Sequence, residues 1–229
     1  MSDEPIYRLR RVGVDYPLPT ARDGRVTGLD DVTLDVPATG LTVLAGPSGS
    51  GKSTLLRVLA LFQPPTRGRV AFAGAAVGPS PRERRAVRRH GIGLVFQTPT
   101  DNLLPTLSVA DNLHAAAQSA RRRADSEDLL TRMGLAGTGR WRIPALSGGQ
   151  QQRLAFACAL ARGCPVVLAD EPTSQLDDTS AGHVLDAITR LVDQGVPVVT
   201  TSHDDRVVER GDRVVRLRAG RLTDQEEHP

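Results

Sequence analysis

The chain has 229 residues, 39% of them hydrophobic and 24% charged, with a formal net charge of +3 at pH 7. That composition belongs to a globular chain that buries its own core, as one large domain or a domain with a subdomain. The longest apolar run, Leu154–Ala161, is far shorter than the ~20 residues of a membrane-spanning helix, and the acidic start Met1-Ser-Asp-Glu leads into no apolar stretch, so neither a span nor a secretory signal is expected.

Two short strands are predicted first, Ile6–Val12 and Leu29–Val36, joined by a loop from Pro17 to Gly28. Leu41–Ala45 reads as a buried strand running straight into Gly46. A helix follows from about Lys52, carrying Leu55, Leu56, Val58 and Leu59, and Pro64-Pro65 stops it. Arg69–Ala73 and Gly91–Phe96 read as further strands. Between them the run Arg82, Arg84, Arg85, Arg88, Arg89 reads as a solvated helix face. Nucleic acid is not the expected partner, because no aromatic residues interleave for base stacking.

From Thr98 to about Gly163 the pattern holds helices and loops but no strand. Ser108 caps a helix through Ala120. Ser126–Met133 is a second helix, ended by Gly134. Ser147 caps a third, through Ala161, ended by Gly163. This third helix is apolar nearly all round, so burial is expected. Strand–helix alternation then returns: strand Pro165–Ala169, a helix with Ala181, Val184, Ile188 and Leu191 on one face, strand Val196–Thr200, and a last strand Asp212–Leu217 before Gly220. Alternation of this kind predicts an α/β fold with a mostly parallel sheet. Cys158 and Cys164, in or beside an apolar helix, are expected to be reduced packing residues; their spacing fits no zinc pattern.

The chemistry begins at Gly46-Pro47-Ser48-Gly49-Ser50-Gly51-Lys52-Ser53-Thr54, which fits G-x-x-x-x-G-K-[ST] between a strand and a helix. Glycines there let backbone N–H groups turn inward around phosphate oxygens. The helix N-terminus adds partial positive charge. Lys52, the only lysine in the chain, supplies a point charge to the β/γ-phosphates, and the Ser53 hydroxyl is a ligand for Mg²⁺. The apolar strand Val166–Ala169 delivers Asp170 and Glu171 to the ligand side of such a sheet. Asp170 would hold Mg²⁺, directly or through water, and Glu171 would act as general base on the attacking water. Gln97 and His203 each follow a predicted strand in the same way. Leu146-Ser147-Gly148-Gly149-Gln150 opens a helix at an anion site that nothing else in the chain completes.

Taken together these segments resemble the ATP-binding-cassette (ABC) ATPases, over essentially the whole chain and in the family's order. The resemblance implies a P-loop NTPase (RecA-like) core with an N-terminal antiparallel β part and an inserted α-helical subdomain, all within one domain of residues 1–229: core from 1–97 and 161–229, helical part from 98–160. It implies that Leu146–Gln150 is the signature that completes the ATP site of a second cassette, in a head-to-tail homodimer enclosing ATP. Gln97 resembles the glutamine that contacts Mg²⁺ and water, and His203 the switch histidine at the γ-phosphate. Ser174-Gln175-Leu176-Asp177 resembles the D-loop linking the two sites. Tyr16 stands where the family places an aromatic on adenine, with Tyr7 as its main rival. The resemblance further implies an integral-membrane permease as partner and a place on the cytoplasmic face of the cell membrane.

Within the family, Asn102–Asn112, Leu146–Arg153 and Leu168–Thr173 look like the lipoprotein-releasing and macrolide-efflux ATPases, which favours export. Those relatives usually carry Gly-Asn after Glu-Pro-Thr, whereas this chain has Ser174-Gln175, and serine there also occurs in amino-acid importers. A signalling cassette of cell-division type would share the same soluble chemistry. A nucleic-acid-linked ATPase is disfavoured, since no coiled-coil insert, zinc module or second cassette is evident.

Overall fold

The computed structural model describes residues 4–20 and 24–227. In chain order its elements are strands β1 (Tyr7–Pro17), β2 (Arg25–Val36) and β3 (Leu41–Ala45), helix α1 (Lys52–Leu59), strands β4 (Arg67–Phe72) and β5 (Ala75–Ala76), helix α2 (Pro81–Gly91), strand β6 (Ile92–Val95), helices α3 (Val109–Ser119), α4 (Ser126–Arg132) and α5 (Gly148–Arg162), strand β7 (Val166–Asp170), helix α6 (Asp178–Asp193), strand β8 (Val198–Ser202), helix α7 (Asp205–Val208), and strands β9 (Arg213–Arg218) and β10 (Arg221–Glu227). The chain forms two compact units, one of residues 1–88 and 199–229, the other of residues 89–198.

The first unit holds an antiparallel sheet in the order β2-β1-β4-β5. Its inner face buries Tyr7, Leu9, Val12, Val14, Leu29, Val32 and Leu34. The register of β1 against β2 slips at three places. Arg11 at the first of them and Asp31 at the second, at φ 53° and 55°, bend the strands as bulges do. Strand β3 is buried at all five positions, the expected mark of a strand covered on both faces. It pairs in parallel with β9, and β9 pairs antiparallel with β10. Strand β10 lies beyond Gly220, after the last strand predicted. Its residues are mostly polar, and it is held by backbone pairing across a tight turn at Ala219 and Gly220, both at positive φ.

The arginine-rich segment is helical, as expected, with Arg82, Arg85 and Arg89 exposed. Arg88 is different. Its guanidinium donates to the Leu61 carbonyl at 2.6 Å and lies 4.5 Å from the centre of the Phe62 ring. Burial and the neighbouring Arg84 and Arg85 lower its pKa.

The second unit pairs β6 and β7 in parallel and packs α5 against α3, α4, α6 and β6. Residues 98–160 contain α3, α4 and most of α5, with short 3₁₀ turns at Pro99–Asn102 and Ile143–Ala145. Helix α5 buries Leu154, Ala155, Phe156, Ala157, Cys158, Ala159 and Ala161, which is why its sequence shows no polar stripe. Ser147 caps it and Gly163, in the left-handed region at φ 61°, ends it.

Both cysteines are buried free thiols. Burial pushes Cys158 up to about 12 and raises Cys164. The thiolate is the reactive form, so a raised pKa leaves both as inert thiols at pH 8. The expected result is negligible reaction of the folded protein with a disulfide reagent at that pH, and reaction of both thiols in guanidinium chloride. Rapid labelling of folded protein at Cys158 would contradict the packing.

Candidate functional site

In the first unit, β3 ends at Ala45 and the chain turns through Gly46–Gly51 into α1. Gly46 has φ 145°, and a Cβ there would sit 2.3 Å from the Leu217 carbonyl oxygen, so no other residue fits. Helix α1 starts at Gly51 with no side-chain cap and no acidic residue in its first turn. Its first N–H groups are therefore left for an anion. The Ser50 hydroxyl is buried without a hydrogen-bond partner. Lys52, 6% exposed, donates to the carbonyls of Gly46 at 2.7 Å and Pro47 at 3.1 Å, which holds its ammonium at the loop. Pro47, Ser48, Gly49 and Ser53 are exposed, and Thr54 is half-buried. An uncapped helix start, an orphaned buried hydroxyl and a fixed ammonium together suit a phosphate chain.

The two tyrosines separate cleanly. Tyr7 is fully buried, its ring 5.0 Å from that of Phe72. Tyr16 is half-buried, its hydroxyl 3.4 Å from the Thr54 hydroxyl. That places Tyr16, not Tyr7, beside the first turn of α1. His203 directly follows β8 and is exposed. Next to it, Asp204 caps α7, and its hydrogen bonds with Arg206 lower its pKa.

In the second unit, β7 presents Asp170 as its last residue, half-buried. Glu171 follows at φ 41°, in the left-handed region. That conformation costs a non-glycine residue roughly 1–2 kcal/mol and marks a turn held by its surroundings. The Glu171 carbonyl accepts the Ser174 N–H at 3.2 Å and the Ser174 hydroxyl at 3.0 Å. The same hydroxyl accepts the Gln97 side-chain amide at 3.0 Å. Gln97 and Glu171 thus meet through one side chain.

The segment before Gln97 is bracketed by two other amides. Asn102 accepts the Phe96 N–H at 2.8 Å and donates to the Leu94 carbonyl at 2.7 Å; Gln152, buried on α5, donates to the Phe96 carbonyl at 3.1 Å. Further on, Asn112 is 4% exposed and makes three bonds: it accepts from Leu104 N–H at 2.7 Å and donates to the carbonyls of Leu104 and Ser108 at 3.1 and 2.9 Å. The sequence placed Ser174 in the D-loop-like segment and Asn102, Asn112 and Gln152 in segments that resemble the export cassettes, but it assigned none of the four side chains a bonding partner. Replacing Asn112 with Leu would leave the Leu104 N–H without its partner. A loss of about 2–3 kcal/mol is expected, read from the urea unfolding midpoint; an unchanged midpoint would mean that the loop does not depend on this amide.

Ser147 and Gln150 form a reciprocal capping box: Gln150 N–H donates to the Ser147 hydroxyl at 3.3 Å, and Ser147 N–H to the Gln150 side-chain oxygen at 2.9 Å. Ser147 and Gly148 are exposed, and Gly149 is buried. A Cβ on Gly149 would lie 2.9 Å from Cβ of Ser180, so the start of α5 rests on the start of α6. Asp177 caps α6 through the Ser180 N–H at 2.9 Å, and hydrogen bonding to Ser180 lowers its pKa. Among the described residues no group of three His, Cys, Asp or Glu side chains is placed to hold a metal ion. A Mg²⁺ held by one or two protein oxygens and the phosphates of a nucleotide needs no such group.

Comparison with known proteins agrees with these features. The ABC transporter family matches residues 29–174. The macrolide export ATP-binding/permease protein MacB 1/2 of Paracoccus denitrificans is 38% identical over 224 residues, covering 95% of this chain and 33% of its own length. The chain thus spans about a third of the macrolide-export relatives it matches. An uncharacterized ABC transporter ATP-binding protein of Mycobacterium tuberculosis (strain H37Rv) is 39% identical over 231 residues, covering 97% of this chain and 90% of its own length. Among solved structures, the dimeric structure of MJ0796, a bacterial ABC transporter cassette, is 30% identical with a TM-score of 0.82, covering 96% of this chain and 98% of that one. The same cassette in a dimeric post-hydrolysis state bound to ADP and Pi is 29% identical with a TM-score of 0.81, over the same 96% and 98%.

Proposed function

The chain belongs to the ABC transporter family as an ATP-hydrolysing cassette, and from that premise we propose that it is the motor subunit of an exporter, acting through a separate integral-membrane permease on the cytoplasmic face of the membrane. Two copies would enclose ATP head to tail. In each site Gly46–Thr54 would bind the phosphates, Lys52 and His203 would face the γ-phosphate, and Tyr16 would lie on adenine. Ser53, Gln97 and Asp170 would hold Mg²⁺, which neutralises phosphate charge, and Glu171 would take the proton of the attacking water.

The observation that carries the reading is the start of α5. Ser147 and Gly148 stand exposed at the N-terminus of a fifteen-residue helix with no acidic residue in its first turn. Such an end favours an anion, and the γ-phosphate bound by a second cassette supplies one. Export is supported by the names of the macrolide-export relatives. A separate permease is supported by the mycobacterial ATP-binding protein, which this chain matches over 90% of its length. No helix among the described residues is long and apolar enough to cross a membrane.

The test is affinity capture of Glu171→Gln protein in Mg-ATP from gently solubilised membranes. Co-purification of a permease with a large extracytoplasmic domain, which in turn stimulates the wild-type ATPase, is the expected result. A compact importer-type permease with a binding protein would reverse the direction proposed.

A further inference from the structure

Ser174 lies outside the groups assigned above to phosphate, metal or water. Its hydroxyl nevertheless accepts the Gln97 amide and donates to the Glu171 carbonyl, both at 3.0 Å. A hydroxyl has one proton to give and lone pairs to receive, so both bonds form at once. The residues on either side of this link are already fixed. Phe96 is bracketed by Asn102 and Gln152, and Glu171 is set at positive φ in a turn closed by the Ser174 N–H. The Gln97 side chain is exposed, and its amide is tied to Ser174.

We propose that Ser174 is a positioning residue for hydrolysis: its hydroxyl couples the Gln97 side chain to the turn that carries Glu171, so that a displacement of either is passed to the other. This rests on the roles proposed above for Gln97 and Glu171. The turn also leads into Leu176, which lies against Gly148, and into Asp177, which caps α6 through the Ser180 N–H beside Gly149. The glutamine, the base and the signature helix of one chain therefore share a continuous set of contacts through this hydroxyl.

Two measurements test it. In nucleotide-free protein labelled with ¹⁵N-glutamine, the Gln97 side-chain amide pair is identified by its loss in Gln97→Ala. In Ser174→Ala that pair should move to the shifts of a solvated amide and exchange faster with water; in Ser174→Thr, which keeps the hydroxyl, it should stay. An unmoved pair in Ser174→Ala overturns the tie. In Mg-ATPase assays Ser174→Ala should lower kcat roughly 3–10-fold, one hydrogen bond's worth, with KM for ATP within about twofold. Gln97→Ala combined with Ser174→Ala should be no slower than the slower single variant, since the two act as one unit. Unchanged kcat in Ser174→Ala, or losses that multiply in the double variant, would overturn the coupling. Wild-type protein without ATPase activity, alone or with its permease, would instead overturn the reading of the site, and the amide measurement would still decide the tie.

Discussion

Replacing Glu171 with Gln is expected to slow ATP hydrolysis by about 10²–10⁴-fold, the usual contribution of a general base, while leaving Mg-ATP binding in place. The substitution keeps the shape of the side chain and removes its ability to take a proton. It should also leave in place the two bonds that the Glu171 carbonyl accepts from Ser174, since these are made by the backbone of residue 171. Positive φ at this position is tolerated as poorly by glutamine as by glutamate, so folding stability should change little. If ATP closes two cassettes and hydrolysis reopens them, the variant should accumulate closed. Light scattering with saturating Mg-ATP should then report twice the monomer mass, and with Mg-ADP the monomer. A variant that stays monomeric in Mg-ATP would remove the head-to-tail dimer. A variant that hydrolyses at the wild-type rate would remove Glu171 as base.

The sequence was most legible where one local rule decided the outcome. Leu41–Ala45 is four apolar residues and one threonine running into glycine, and it forms β3 over those same residues, buried throughout. Ser147 and Gly163 bracket α5 as a cap and a left-handed stop should. The phosphate loop was readable because its glycines answer a backbone need, such as the 2.3 Å approach at Gly46. Legibility failed where structure came from pairing rather than composition. Arg221–Glu227 has no apolar alternation, yet β9 offers a free edge and the Ala219-Gly220 turn returns the chain along it. The loop expected from Pro17 to Gly28 is shorter for the same reason: β1 runs on to Pro17, and β2 begins at Arg25 opposite it. The contacts around Gln97 were equally hidden. Ser174 is 77 positions away and Gln152 is 56 positions from Phe96, and no spacing rule links side chains across such distances.

Lys52→Ala is expected to weaken Mg-ATP binding about 10–100-fold, the loss of a hydrogen bond to a charged phosphate worth roughly 1.5–3 kcal/mol. In the structure its ammonium is held by the Gly46 and Pro47 carbonyls at 2.7 and 3.1 Å. A phosphate oxygen offers a full negative charge to the same ammonium, and it would meet the uncapped N–H groups of α1 from the same side. Lys52→Arg should not restore binding. The planar guanidinium cannot take the place of a compact ammonium at two carbonyls 2.7 and 3.1 Å away. Because Lys52 is the only lysine in the chain, the wild-type protein tests its own site. An amine-acylating reagent has one side-chain target besides the N-terminus, and Mg-ATP should protect it. Unchanged ATP affinity in Lys52→Ala, or acylation of Lys52 at the same rate with and without Mg-ATP, would show that the phosphates bind elsewhere.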